Sequence, residues 1–91
     1  MTTLIRRRIR VTGRVQGVGY RYSCRREAES ARVAGWVANR DDGSVEVVVE
    51  GSPDAVGSLV DWCRRGPAGG SVSGLEVSAE EPTGERGFCV L

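Results

Sequence analysis

Apolar residues along this chain switch repeatedly between a two-residue and a 3.6-residue period. That switching limits the available folds more than any other feature. Ile5, Ile9 and Val11 alternate with Arg6, Arg8 and Arg10, which predicts a strand over residues 4–12 with one apolar and one arginine-studded face. Gly13, Gly17 and Gly19 then break the pattern. From Arg21 the spacing becomes helical. Tyr22, Ala28, Ala31 and Val33 form the expected apolar stripe, and Gly35 is the expected helix stop. Trp36-Val37-Ala38 begins a second strand, Asp42-Gly43 is a hairpin signal, and Val45, Val47 and Val49 alternate with Glu46, Val48 and Glu50 in a third strand. Ser52 and Pro53 are a cap and first-turn pair for a second helix carrying Val56, Leu59, Val60 and Cys63. Arg64 and Arg65 suit its last turn, and Gly66-Pro67 stops it. Val72, Leu75, Val77 and Ala79 mark a fourth strand. Glu81-Pro82-Thr83-Gly84 turns the chain into a short closing strand, Phe88 to Leu91.

The order β-α-β-β-α-β, plus that last strand, predicts an α+β ferredoxin-like sandwich. An antiparallel sheet carries two helices on one face. At 91 residues the chain is expected to be a single domain, 1–91. No apolar run reaches the roughly 18 residues of a membrane span. Met1 to Arg10 holds four arginines and no signal-peptide core. A cytoplasmic protein that does not enter the membrane is expected.

Absences narrow the chemistry. The sequence has no histidine and no lysine, which excludes Ser-His and Cys-His nucleophilic pairs, Schiff bases and a P-loop lysine. Cys24, Cys63 and Cys89 fit no zinc spacing, so they are expected to be mostly buried, reduced thiols, and no metal or cofactor is expected. Cys24, beside Arg25 and Arg26, is the one candidate for a reactive thiol. Residues 1–26 carry eight arginines and no acid, whereas residues 27–91 carry five arginines and all 12 acids. Either an anion site lies near the N-terminal half, or folding interleaves the halves and cancels the field.

The stretch Gly13-Arg14-Val15-Gln16-Gly17-Val18-Gly19-Tyr20-Arg21 joins the first strand to the first helix. Three glycines in seven residues let successive N–H groups point inward at a helix N-terminus, a ready phosphate site. Arg21 can add a bidentate guanidinium fork. The stretch matches neither a Walker A loop nor a Rossmann fingerprint. By spacing alone, the glycines also serve a plain strand-to-helix turn.

Val15-Gln16-Gly17-Val18-Gly19-Tyr20-Arg21, then Gly35-Trp36-Val37-Ala38-Asn39, then Asp42-Gly43-Ser44-Val45-Glu46 together resemble the acylphosphatase family over nearly the whole chain. Tyr20 stands where phenylalanine is commoner, and Ala38 where a basic residue often precedes the asparagine. The resemblance implies hydrolysis of the carboxyl-phosphate bond of acyl phosphates without a metal. It makes Arg21 and Asn39 the catalytic pair and assigns phosphate binding to Gln16, Gly17, Val18, Gly19, Tyr20 and Arg21. Inorganic phosphate or sulfate would compete at that site, and a monomer is expected.

Residue chemistry is compatible. A transferring phosphoryl group needs positioning and donors more than covalent chemistry, and a carboxamide at Asn39 can accept from water while donating to phosphate. Asn39 also fits as a turn residue before Asp41-Asp42-Gly43. Asp41 and Asp42 are the nearest candidates for a carboxylate base. Trp36 and Trp62 read as core or half-buried packing. Two rival functions remain open: a non-catalytic or auxiliary phosphate-binding module of the same family, and an RNA-binding ferredoxin-like domain. The second lacks the exposed aromatics that stack bases, since the chain has five aromatics in all, so no nucleic-acid partner is expected.

Overall fold

The computed structural model describes residues 3–91; Met1 and Thr2 of the expected 1–91 domain lie outside the described residues. The elements are β1 (Ile5–Arg14), α1 (Tyr20–Ala31), β2 (Ala34–Asn39), β3 (Val45–Gly51), α2 (Pro53–Arg65), β4 (Ser71–Glu80) and β5 (Phe88–Val90). They form one five-stranded sheet in the order β4-β1-β3-β2-β5. The four long strands pair antiparallel, and β5 adds to β2 in parallel. This is the expected ferredoxin-like arrangement, with the closing strand making the sheet mixed.

Period-two alternation sorts the residues to two faces. Ile9, Val11, Val37, Val45, Val47 and Val49 meet Tyr20, Cys24, Ala28, Val56, Leu59 and Cys63 in the core beneath the helices. Helix α2 forms as the sequence predicts. Ser52 Oγ accepts from the Ala55 N–H at 3.3 Å, Pro53 occupies the first turn, and Gly66 closes the end through its N–H to the Trp62 carbonyl at 2.8 Å.

Helix α1 departs from expectation in two ways. Its buried stripe is Tyr20, Cys24 and Ala28, one residue in every four, and Tyr22 faces solvent. Its left-handed stop is Arg32 (φ 60°), whose N–H reaches the carbonyls of Ala28 and Glu29. Gly35 lies inside β2 at φ 142°, where a Cβ would sit 1.8 Å from the Val48 carbonyl oxygen. Glycine is required there for the approach of β3, not to end the helix. A second such approach occurs at Gly13, beside a register shift in the β1–β4 ladder, where a Cβ would meet the Ser71 carbonyl oxygen at 2.3 Å.

The other sheet face carries ions. Arg6 is buried and reaches Glu50 (2.6 Å), Glu80 (2.8 Å) and Glu85 (3.0 Å). Arg8 bridges Glu46 and Glu80, and Arg10 reaches Asp42. Trp36 lies half-buried, with the guanidinium carbons of Arg8 and Arg40 at 5.6 and 5.5 Å from its ring. Val48 stands between Arg8 and Trp36 in register and is fully buried.

Glu50 anchors this face. Burial alone would raise its pKa, but the Thr83 N–H (2.7 Å), Arg6 and the Glu85 N–H outweigh it and hold the carboxyl at about 2, against an ordinary 4.5. A depressed folded-state pKa means stability that is fully present above about pH 4.5 and lost as pH falls toward 2. Glu50→Gln is therefore expected to cost about 2 kcal/mol at pH 7, below the loss for an isolated buried pair because Arg6 keeps two acids. Urea midpoints recorded from pH 7 to pH 2 check this: the variant should fall less steeply below pH 4.5 than the wild type.

Candidate functional site

The segment between β1 and α1 is short and held at both ends. Val15 is buried, with its N–H on the Gly13 carbonyl at 3.1 Å, and Tyr20 is buried with its ring 5.1 Å from that of Trp62. The Tyr20 hydroxyl donates to the Cys63 carbonyl at 2.9 Å. Between these anchors Gly17 (φ 75°) and Gly19 (φ 80°) adopt left-handed conformations, yet a Cβ on either would meet nothing within 4 Å. These glycines are needed for backbone direction, not for close packing.

The consequence is a run of free donors. The first helical bond of α1 is from the Ser23 N–H to the Gly19 carbonyl. The N–H groups from Gln16 to Tyr22 donate to no acceptor among the described residues. No acid stands in the first turn of α1. The positive end of the helix dipole therefore adds to these amides without a competing carboxylate.

Beside them lies a pocket of about 110 Å³ whose lining includes Gly17, Gly19, Arg21, Tyr22 and Asn39. Arg21 is half-buried, and its Nη1 donates to the Leu91 carbonyl oxygen at 2.7 Å, which fixes the guanidinium while leaving its other nitrogens without acceptors among the described residues. Asn39 is the last residue of β2, and its buried Oδ1 accepts no hydrogen bond. A buried acceptor without a donor is costly, and in a native fold it points to a function for the group.

Gln16 joins the two halves of the site. Its Nε2 donates to the carbonyls of Arg40 (2.7 Å) and Ser44 (2.9 Å), the residues that close the turn after Asn39. The Gln16 side chain is thus occupied in fastening the loop to the hairpin, and only its main chain is available to an anion. Val18 is half-buried against the core. All the sequence-predicted residues come together here: Gly17, Gly19, Tyr20, Arg21 and Asn39 at the pocket itself, Gln16 and Val18 as its supports.

Two other expectations change. Asp42 is unsuited as a base. The hydroxyl and N–H of Ser44, followed by Arg10, hold its carboxyl well below the usual carboxylate range. Cys24 and Cys63 are buried and Cys89 is exposed, in keeping with the expectation of mostly buried thiols. The hydrogen bond to Cys63, together with burial, raises the Cys24 pKa, so Cys24 is no reactive thiol. The sequence reading missed Tyr22 as a pocket residue. Starting the helix at Tyr20 would have revealed it, since Tyr22 then falls outside the four-residue stripe. The Leu91 carbonyl has no sequence signal, because only the parallel addition of β5 beside β2 brings it near Arg21.

Charge is divided accordingly. Every ion pair among the described residues belongs to Arg6, Arg8, Arg10 or Arg40. Interleaving thus cancels Arg6, Arg8 and Arg10 of β1 but not Arg7 or Arg14, and no Asp or Glu pairs with Arg21 or Arg25 near the pocket among the described residues.

Comparison with known proteins agrees with this architecture. The acylphosphatase family model matches residues 7–90. The acylphosphatase of Thermococcus kodakarensis is 48% identical over 87 residues, covering 96% of each chain. That of Trichormus variabilis is 51% identical over 85 residues, covering 93% of this chain and 84% of the relative. The crystal structure of the Bacillus subtilis acylphosphatase superposes with a TM-score of 0.92 at 40% identity, covering 98% of this chain and 99% of that one. A match of this extent, in sequence and in fold, makes the chain a member of the acylphosphatase family.

Proposed function

We propose that this chain hydrolyses the carboxyl-phosphate bond of acyl phosphates, without a metal, through Arg21, Asn39 and the amides of the Gln16–Tyr20 loop. The observation that carries the reading is the meeting, in one pocket, of a run of undonated N–H groups and the buried, partnerless Oδ1 of Asn39. The amides and Arg21 suit the equatorial oxygens of a phosphoryl group, whose charge spreads over three oxygens in the transition state. Asn39 Oδ1 suits a water proton, which would aim the water oxygen at phosphorus. The phosphorus–oxygen bond to the acyl group then breaks, and the acyl group departs as a carboxylate. That leaving group is stable as an anion and needs no acid to protonate it. The pocket lining holds no carboxylate, imidazole or thiol that would bind a metal ion. Phosphate release from a synthetic acyl phosphate, measured with and without chelator, tests the reading directly: activity should be present and equal in both.

Arg21→Ala is expected to lower kcat/KM by two or more decades, on the order of 3 kcal/mol of transition-state stabilisation, with the fold intact by circular dichroism. Arg21→Lys should fail almost as badly, because an ammonium cannot reproduce the bidentate fork. Near wild-type rates in the lysine variant would overturn the role of Arg21.

Asn39→Ala should separate binding from turnover. A water-positioning role predicts a large fall in kcat with little change in the inhibition constant of inorganic phosphate. An equal loss in both would make Asn39 a phosphate-binding residue instead.

Neither a guanidinium nor a carboxamide titrates near neutral pH. The kcat profile should therefore be flat from about pH 5.5 to 8 once substrate ionisation is allowed for. A limb near pH 6 that disappears in Asp41→Asn would establish a carboxylate base and displace the water-positioning mechanism.

A further inference from the structure

One wall of the pocket takes no part in holding phosphate or water. Tyr22 lines it next to Arg21, yet the residue is 61% exposed. Its ring gains little from burial, and its hydroxyl has no hydrogen-bond partner among the described residues. Two cations nevertheless pack on it. The guanidinium carbon of Arg21 is 5.9 Å from the ring centroid and that of Arg25 is 6.0 Å away. These contacts, from the neighbouring residue and from one turn along α1, fix an aromatic ring at the rim of an anion pocket.

With the phosphoryl group among the loop amides, the acyl substituent must extend outward past the rim. Tyr22 is the rim residue with exposed ring surface. We propose that Tyr22 is a specificity-determining residue: its ring, steadied by Arg21 and Arg25, docks the acyl group and favours planar aromatic acyl phosphates over short alkyl ones. Aromatic pairs gain energy beyond area burial, whereas a methyl group covers little of the ring. The assignment rests on the hydrolytic reading above for the direction in which the acyl group leaves the pocket.

The test compares benzoyl phosphate with acetyl phosphate in the wild type, Tyr22→Ala and Tyr22→Phe. In parallel, calorimetry measures the binding of the hydrolysis-resistant analogues benzoylphosphonate and acetylphosphonate. Intrinsic reactivity cancels when the same substrate pair is compared across variants. Tyr22→Ala should lower the benzoyl-to-acetyl ratio of kcat/KM about tenfold, and the ratio of phosphonate affinities should move with it. Tyr22→Phe, which keeps the ring, should retain both ratios. A parallel fall for both substrates, or ratios unchanged in the alanine variant, would overturn the subsite. A wild-type protein that shows the Tyr22-dependent phosphonate preference but hydrolyses neither acyl phosphate would overturn the hydrolytic reading and leave the subsite standing.

Discussion

The site depends on the antiparallel pairing of β3 with both its neighbours. Val45 is opposite Val11 on one side and opposite Asn39 on the other. One row across the sheet therefore fixes where β1 gives way to the glycine loop and where β2 presents its terminal asparagine. Side chains alternate between faces, so a slip of one residue would invert every contact and is strongly opposed by the buried valines. Val45, Val47 and Val49 lock one face, and fully buried Val48 locks the other. The separation of Asn39 from the glycine loop is thus set by the register of a hydrophobic strand, and Gln16 then tightens it by bonding to the carbonyls of Arg40 and Ser44 in the adjoining turn.

The two sheet faces divide the charge. Arg6, Arg8 and Arg10 alternate to the open face and use the acids of β3, β4 and the segments around them. With Arg6 and Glu50 both buried, that network carries a desolvation cost that its several hydrogen bonds offset. It also consumes acids that would otherwise be available to neutralise the pocket side. The first turn of α1, at the pocket, carries no acid, and the acids of α1 itself, Glu27 and Glu29, lie further along the helix.

Much of the candidate site is main chain. The donors from Gln16 to Tyr22 need no particular side chain, only a path that leaves their hydrogens free, and Gly17 and Gly19 supply it. The remaining side chains set that path. Val15 and Tyr20 hold its ends in the core, and the Tyr20–Cys63 bond ties the first turn of α1 to α2. A site built this way is rigid because its frame is the core itself, and preorganised donors of this kind lose little when charge develops.

The resemblance of its motifs to a family pointed to Arg21 and Asn39, and by itself the sequence determined the element order, the fold class, the α2 caps and the glycine loop. These are local properties: period, cap chemistry and the residue types at a turn. Tertiary structure decided what depends on distant partners. Gly35 reads as a helix stop in sequence but is a strand residue, because Val48 approaches it from β3, while Arg32 takes the left-handed turn itself. Tyr22 reads as core but is a rim residue, because the stripe that packs on α2 begins at Tyr20. The exposure of Cys89, the pairing of Arg6, Arg8 and Arg10 and the grip of Leu91 on Arg21 all follow from strand order across the sheet. No local pattern encodes which segments the sheet brings side by side, and that adjacency fixed these features.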